Sequence, residues 1–210
     1  MILGSLPPMK CGVGDSMVIL AGEISSLGKE VGILTSKEAG LIKGVDVINV
    51  LPDWSFKNFF FATRKIIKWD PDLIHFQFPS LGYKTGLLPY FLSLSLTLRG
   101  FNVIQTWHEP PIKSPFAENN FERLKRFIYS FRYLPNVLAK DNIVFVEKGV
   151  YKNLRVWYKL FFKRKVINHI PVTSNIPVCE KPQHELIELK RKISRGKNLL
   201  VYFGFLFPHK

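Results

Sequence analysis

Three short stretches of this chain place residues able to do chemistry where a ligand could meet them. The first is LPPMKCGVGD at residues 6–15, where Gly12 and Gly14 separate an apolar run from an amphipathic one. Glycine lets backbone approach a ligand closely. A helix N-terminus just beyond offers unpaired N–H groups and partial positive charge, suited to phosphate or sugar hydroxyls. A tight turn needing positive φ would ask for the same glycines. The second stretch is Thr106-Trp107-His108-Glu109, broken by Pro110-Pro111. An imidazole just past a buried strand lies in the ligand crevice of an open α/β sheet. The third is PDLIHFQFP at 71–79, where His75 and Gln77 alternate with apolar residues. Gln77, nearer the carboxyl end, is placed to reach the crevice. His75 reads as a hydrogen-bonded core residue.

A fourth region is basic and aromatic. Residues 123–165 hold 12 Lys/Arg against 2 Asp/Glu. On a helix over 150–162 and its continuation, Lys152, Arg155, Lys159 and Lys163 recur at intervals of three and four, opposite Val150, Leu154, Trp157 and Phe161. That is either a solvated outer face or a surface for anionic lipid, to which aromatics at 127–133, Tyr158 or Phe162 would add. The imbalance is general: residues 1–105 carry 10 Lys/Arg and 8 Asp/Glu, residues 106–210 carry 20 and 8, so the net charge of +14 is +2 and +12 by halves. An acidic partner is implied. Nucleic acid is disfavoured, because no helix-turn-helix, zinc-finger or RNP pattern accompanies the charge.

These residues need a scaffold, and 210 residues, 47% of them hydrophobic, can bury a core. Two cysteines, Cys11 and Cys179, make neither a disulfide scaffold nor a zinc site. No basic n-region opens the chain, and the longest apolar stretch, 85–98, is interrupted by Pro89. A cytoplasmic protein, peripheral at the inner face of the membrane if it docks there, is the simplest expectation.

Apolar runs at 2–5, 31–35, 45–50, 73–78, 102–106, 142–146, 166–170 and 199–203 read as strands. Amphipathic stretches at 16–27, 56–68, 85–98, 117–134 (halted at Pro135), 150–162 and 185–194 read as helices. Asp15 or Ser16 would cap the first. Near-continuous apolar strands alternating with helices predict a Rossmann-like, doubly wound parallel sheet. Two prolines in SNIPVCEKP, 174–182, suggest a hinge. The expected division is 1–174 as one domain and 175–210 as the incomplete beginning of a second. A dinucleotide fingerprint would need glycine where Met17 stands and an acid at Thr35-Ser36, and no Walker loop is present, so a nicotinamide or ATP enzyme is disfavoured.

Taken in order, PP-x-x-C-G-V-G-D, G-K-E-V-x-I-L-T-S, PD-L-I-H-x-Q, T-W-H-E, I-P-x-x-S-N-I-P and Y-F-G-F-x-x-P-x-K resemble the N-terminal half of group 1 (family 4) retaining glycosyltransferases of the GT-B fold. The resemblance spans essentially the whole chain. It implies an acceptor-side domain facing a donor-binding one, a nucleotide sugar as substrate with no further cofactor or metal, and a glycan or lipid-linked acceptor. Gly12, Val13, Gly14 and Asp15, with Gln77 and Glu109, would contact acceptor and donor sugar. His108 matches the catalytic crevice histidine that touches the transferred sugar. Lys210 matches the residue that binds the donor diphosphate. Phe205 stands where relatives often have Arg, and the family's paired-glutamate motif is absent. Little or no transfer is expected from this chain alone. The alternative is a non-catalytic module that binds anionic membrane or phosphate ligands.

Overall fold

The structure is a computed structural model of the 210-residue chain. It describes residues 1–79, 81–84, 86–108, 120, 124, 128, 130–139, 142–149, 152, 154, 156–162, 166–172 and 179–201. Two compact units are present, Met1–Thr173 and Ser174–Lys210.

The first unit is an α/β layer built on seven parallel strands: β1 Ile2–Leu3, β2 Gly32–Ser36, β3 Asp46–Leu51, β4 Ile74–Phe78, β5 Val103–Trp107, β6 Asn142–Phe145 and β7 Ile167–His169. Their order across the sheet is β3-β2-β1-β4-β5-β6-β7. The chain winds outward from β1 to β3, then returns to the other side of β1 with β4. The winding direction therefore reverses between β1 and β4, the place where open α/β sheets leave a crevice at their carboxyl ends.

Apolar side chains cover both faces of these strands, as parallel pairing requires. On one face Ile2 and Ile33 pack against Met17 and Ala21 of α1 (Gly12–Ser26). On the other, Leu3, Leu34, Phe76 and Phe78 pack with Ala62 and Ile66 of α2 (Phe59–Trp69) and Leu88, Leu92 and Leu96 of α3 (Leu88–Leu98). This is the Rossmann-like, doubly wound arrangement that the alternation of runs implies. A 3-10 turn, Phe56–Asn58, leads into α2, which ends where Asp70 turns left-handed (φ 51) ahead of Pro71.

Several boundaries differ from expectation. α1 begins at Gly12, four residues early, with extended, buried Cys11 before it. Neither Asp15 nor Ser16 caps it. Ser16 Oγ instead donates back to the Gly12 carbonyl. Glycine's poor helix propensity argues for a loop, but burial of Cys11, Gly14 and Met17 on one side outweighs it. α3 starts at Leu88, with Pro89 in its first turn, where proline's missing N–H is not needed. Pro135 likewise stands in the first turn of α4 (Leu134–Leu138) instead of halting a helix. Most of the helix expected over 117–134 lies outside the described residues; a 3-10 turn, Phe131–Tyr133, closes that stretch. α5 is Val156–Phe162. In the second unit α6 covers Gln183–Ser194, and residues 199–201 form no strand.

Gly14 has a packing role. A Cβ built there would sit 2.6 Å from the Ser5 carbonyl oxygen, whereas one at Gly12 would meet nothing within 4 Å. Gly14→Ala is expected to lower the unfolding free energy by about 1–3 kcal/mol. Gly12→Ala is expected to raise it by roughly 0.5 kcal/mol through helix propensity. Urea denaturation of the two variants distinguishes them.

Candidate functional site

Register places the polar residues of β4 and β5 side by side. Gln77 pairs with Thr106, and His75 with Ile104, so His75, Gln77 and Thr106 share one face. They form a hydrogen-bonded relay that ends at the rim. His108 Nε2 lies 2.7 Å from Gln77 Oε1, Gln77 Nε2 is 3.1 Å from His75 Nε2, and that nitrogen is 2.7 Å from Thr106 Oγ1. An amide oxygen only accepts and an amide nitrogen only donates. His108 therefore carries its proton on Nε2, and the single lone pair of His75 Nε2 is shared between the Gln77 amide and the Thr106 hydroxyl. Nδ1 of His108 has no partner among the described residues and keeps its lone pair. The His108 backbone N–H also donates to the Phe78 carbonyl at 2.6 Å, which continues the β4–β5 ladder one residue past β5.

Gln77 is buried and does not reach the crevice surface. It is the strut that orients the imidazole. His75 is a core residue, as its alternation with apolar neighbours implies, and it anchors the inner end of the relay.

Burial tunes both rings. Desolvation holds His108 down to about 4, and desolvation, the nearby His108 charge and the chain's amino terminus hold His75 at about 4. Both are neutral at pH 7. A neutral His108 offers Nδ1 as a hydrogen-bond acceptor and Nε2–H as a fixed donor, not a positive charge.

The glycine segment is helical where the sequence predicts a loop. Gly12, Val13, Gly14 and Asp15 form the first turn of α1, and neither glycine has positive φ. The close approach at Gly14 is to the Ser5 backbone. Asp15 donates its own N–H to the Cys11 carbonyl at 3.0 Å. Glu109, Lys210, Phe205, Arg155 and Lys163 lie outside the described residues.

The structure adds a cleft that sequence reasoning does not find. It encloses about 670 Å³ at the carboxyl ends of β2, β3 and β4. Ser36, Lys37 and Glu38 line it from the end of β2, Asp53, Trp54 and Phe56 from beyond β3, and Tyr83 and Lys84 from beyond β4. The size suits a small ligand. Trp54 and Tyr83 meet edge to face at 4.7 Å and form an aromatic wall. Trp54 is buried, and its Nε1 has no hydrogen-bond partner among the described residues. Asp53 accepts from Ser55 and Asn58 and pairs with Lys57; the Ser55 hydroxyl first, then the Ser55 N–H and Lys57, hold its carboxyl at about 2. Lys37 and Lys84 are exposed, with no ion pair among the described residues. The signal for this cleft lies in the P-D-W-S and G-Y-K-T segments, neither of which carries a hydrophobic period or a familiar spacing.

The basic helix departs from its expected faces. Tyr158 is fully buried and its hydroxyl donates to the Ser130 carbonyl at 2.7 Å, so it cannot enter a membrane. Lys159 Nζ donates to the Lys152 carbonyl at 2.6 Å. Leu160 and Phe161, not Tyr158, face outward. The cause is the register of a segment that packs through Leu154 and Tyr158.

No group of three or more His, Cys, Asp or Glu among the described residues could hold a metal ion. None of their helices is long and apolar enough to cross a membrane. No protein-family model matches the chain, and no curated protein matches it.

The relay makes folding pH-dependent. Below pH 6.5 the unfolded chain protonates its imidazoles, while the folded chain keeps His75 and His108 neutral down to about 4. Stability is complete above pH 6.5, falls between 6.5 and 4, and levels off below. The loss is about 3 kcal/mol for one such imidazole. Denaturant titrations across that window, with proton NMR of the imidazole resonances, check it. His75→Phe is expected to flatten the slope.

Proposed function

We propose that this chain supplies the acceptor side of a retaining glycosyltransferase that moves a sugar from a nucleotide-sugar donor to a glycan or lipid-linked acceptor. The observation that supports it most is the neutral His108, held by Gln77 at the carboxyl rim next to the switch between β1 and β4. A neutral imidazole with a free Nδ1 accepts a hydrogen bond from a sugar hydroxyl without adding a positive charge beside an oxocarbenium-like centre. Family resemblance in the ordered motifs points the same way.

The rim cleft is the acceptor seat in this reading. Phe56, half exposed at the rim, supplies an apolar face for the C–H side of a sugar, with the buried edge-to-face pair Trp54 and Tyr83 behind it. Asp53 and Glu38 accept from hydroxyls, and Lys37 and Lys84 receive an anionic substituent. The leaving nucleoside diphosphate needs its developing charge stabilised by basic groups or helix N-termini. Lys210 is the residue assigned to that task by the resemblance. Attack on the same face as the departing phosphate retains configuration and asks for no carboxylate pair from these residues.

Ligand-observed NMR and calorimetry with a panel of nucleotide sugars, oligosaccharides and dinucleotides test the reading. A sugar ligand is expected to bind. His108→Ala is expected to weaken it about tenfold, the worth of one hydrogen bond, with Lys84→Ala selectively weakening anionic acceptors. Tight dinucleotide binding with no response to any sugar would overturn it.

A further inference from the structure

The first unit exposes an aromatic surface that extends from the edge of the cleft along α2. Phe60 is 71% exposed, and Phe56, Phe61, Ile67, Leu87 and Phe91 are also exposed. The rings are mutually organised: Phe56 stacks on Phe59 at 5.3 Å and meets Phe91 edge to face at 5.3 Å, and Phe59 meets Phe60 at 5.5 Å. Single exposed apolar residues are ordinary on protein surfaces, but a contiguous patch is not.

Helical geometry explains why core packing does not need them. α2 buries Ala62, Thr63 and Ile66 on its inward arc. The outward arc is Phe60, Phe61, Arg64, Lys65, Ile67 and Lys68, which alternates aromatic or aliphatic groups with cations. Residues 56–69, FKNFFFATRKIIKW, hold four basic side chains and no acid. Lys65 Nζ lies 5.5 Å over the Phe61 ring, and Lys57 is held by Asp53 at 3.1 Å. Arg64 and Lys68 project from the same exposed arc.

We infer that the outward face of α2, with the preceding 3-10 turn and the start of α3, docks on an anionic lipid surface, the phenylalanines entering the interface and Arg64, Lys65 and Lys68 meeting headgroups. A helix lying in the interface needs this combination of rings that leave water and cations that face phosphate. Charge complementarity selects an anionic bilayer over a protein groove, because every ionisable group of the outward arc is basic. The patch is also continuous with the rim cleft, since Phe56 and Leu87 belong to both. A ligand anchored in the bilayer would thus meet the cleft at the membrane surface.

Flotation of the full chain with vesicles of phosphatidylcholine alone, or of phosphatidylcholine mixed with phosphatidylglycerol, tests the inference. The chain is expected to float with the mixed vesicles only and to be released by salt. Neutralising Arg64 and Lys68 together (R64A/K68A) should weaken partition roughly 25-fold, about fivefold for each cation. F60S/F61S should abolish flotation while leaving the circular dichroism that of the folded parent, since neither ring belongs to the buried core. K152A/K159A should float as the parent does. Failure of the parent to float with anionic vesicles, undiminished flotation of F60S/F61S, or a loss confined to K152A/K159A would overturn the inference. So would a concentration-dependent dimer that F60S/F61S dissolves, because a second copy would then be the occupant.

Discussion

Close approach of backbone to backbone at the carboxyl end of β1 sets the rest of this structure. β1 is only two residues long and lies inside the sheet, between β2 and β4. The backbone just past it is crowded from two directions. A Cβ at Gly4 would run into Met17 Sδ, one at Gly14 would lie 2.6 Å from the Ser5 oxygen, and one at Gly82 would lie 2.5 Å from Ser5 Cβ. Three positions without side chains therefore let α1 and the segment after β4 converge on Gly4-Ser5. That convergence fixes where the rim opens: the relay stands on the β4–β5 side, and the cleft stands toward β2 and β3. Tyr83 tightens the junction, donating its hydroxyl to the Leu3 carbonyl from full burial, a location that drives its own ionisation well above the ordinary range.

The relay shows how a sheet interior can hold polar side chains without losing stability to them. Four groups satisfy each other in series from Thr106 to His108, so the desolvation cost of each amide or imidazole is offset by a bond in low dielectric. The opposite face of β5 has its own set: Gln105 donates to the Asn136 carbonyl, and its oxygen accepts from Trp107 and from the Asn136 amide, while Asn136 Oδ1 finds no partner among the described residues. The polar residues of β4 and β5 thus find their partners through register. A one-residue slip of β5 against β4 would break both sets together, so the polar pairs help to specify the pairing that the apolar residues alone leave less sharply defined.

Elements buried on both faces are legible in the chain because their signal is dense. The runs around Ile33, Phe76 and Ile143 are apolar at most positions, and strand length separates them from helices. The rim is less legible for a physical reason. Gly12 and Gly14 signal only that a side chain is unwelcome, and whether a ligand or a backbone oxygen takes the space depends on tertiary packing. Here Ser5 takes it at Gly14. Pro89 and Pro135 look like interruptions, but first-turn prolines open helices, and only the position of the preceding chain decides between the two. The place of Tyr158 among lysines suggests an outward ring, whereas burial follows helical phase, not neighbours in sequence. His108 and His75 are separable from sequence, since alternation places His75 within β4 and His108 just past the end of β5.

Net charge by halves is a poor guide to where this molecule meets acidic matter. The first 105 residues are nearly balanced at +2, yet residues 56–69 gather four cations and no anion into a short helical segment. Screening makes that local density decisive: across roughly 10 Å at ordinary ionic strength, a surface feels only the charges of the face presented to it. Aromatic side chains on the same arc add the apolar contribution that charge alone lacks, and their order is already built by ring contacts from Phe56 through Phe91. The basic stretch around Lys152 and Lys159 has more charge nearby but commits one ammonium to a backbone carbonyl and its tyrosine to the core. Composition counts charges, and the fold decides which of them share a surface with something to insert.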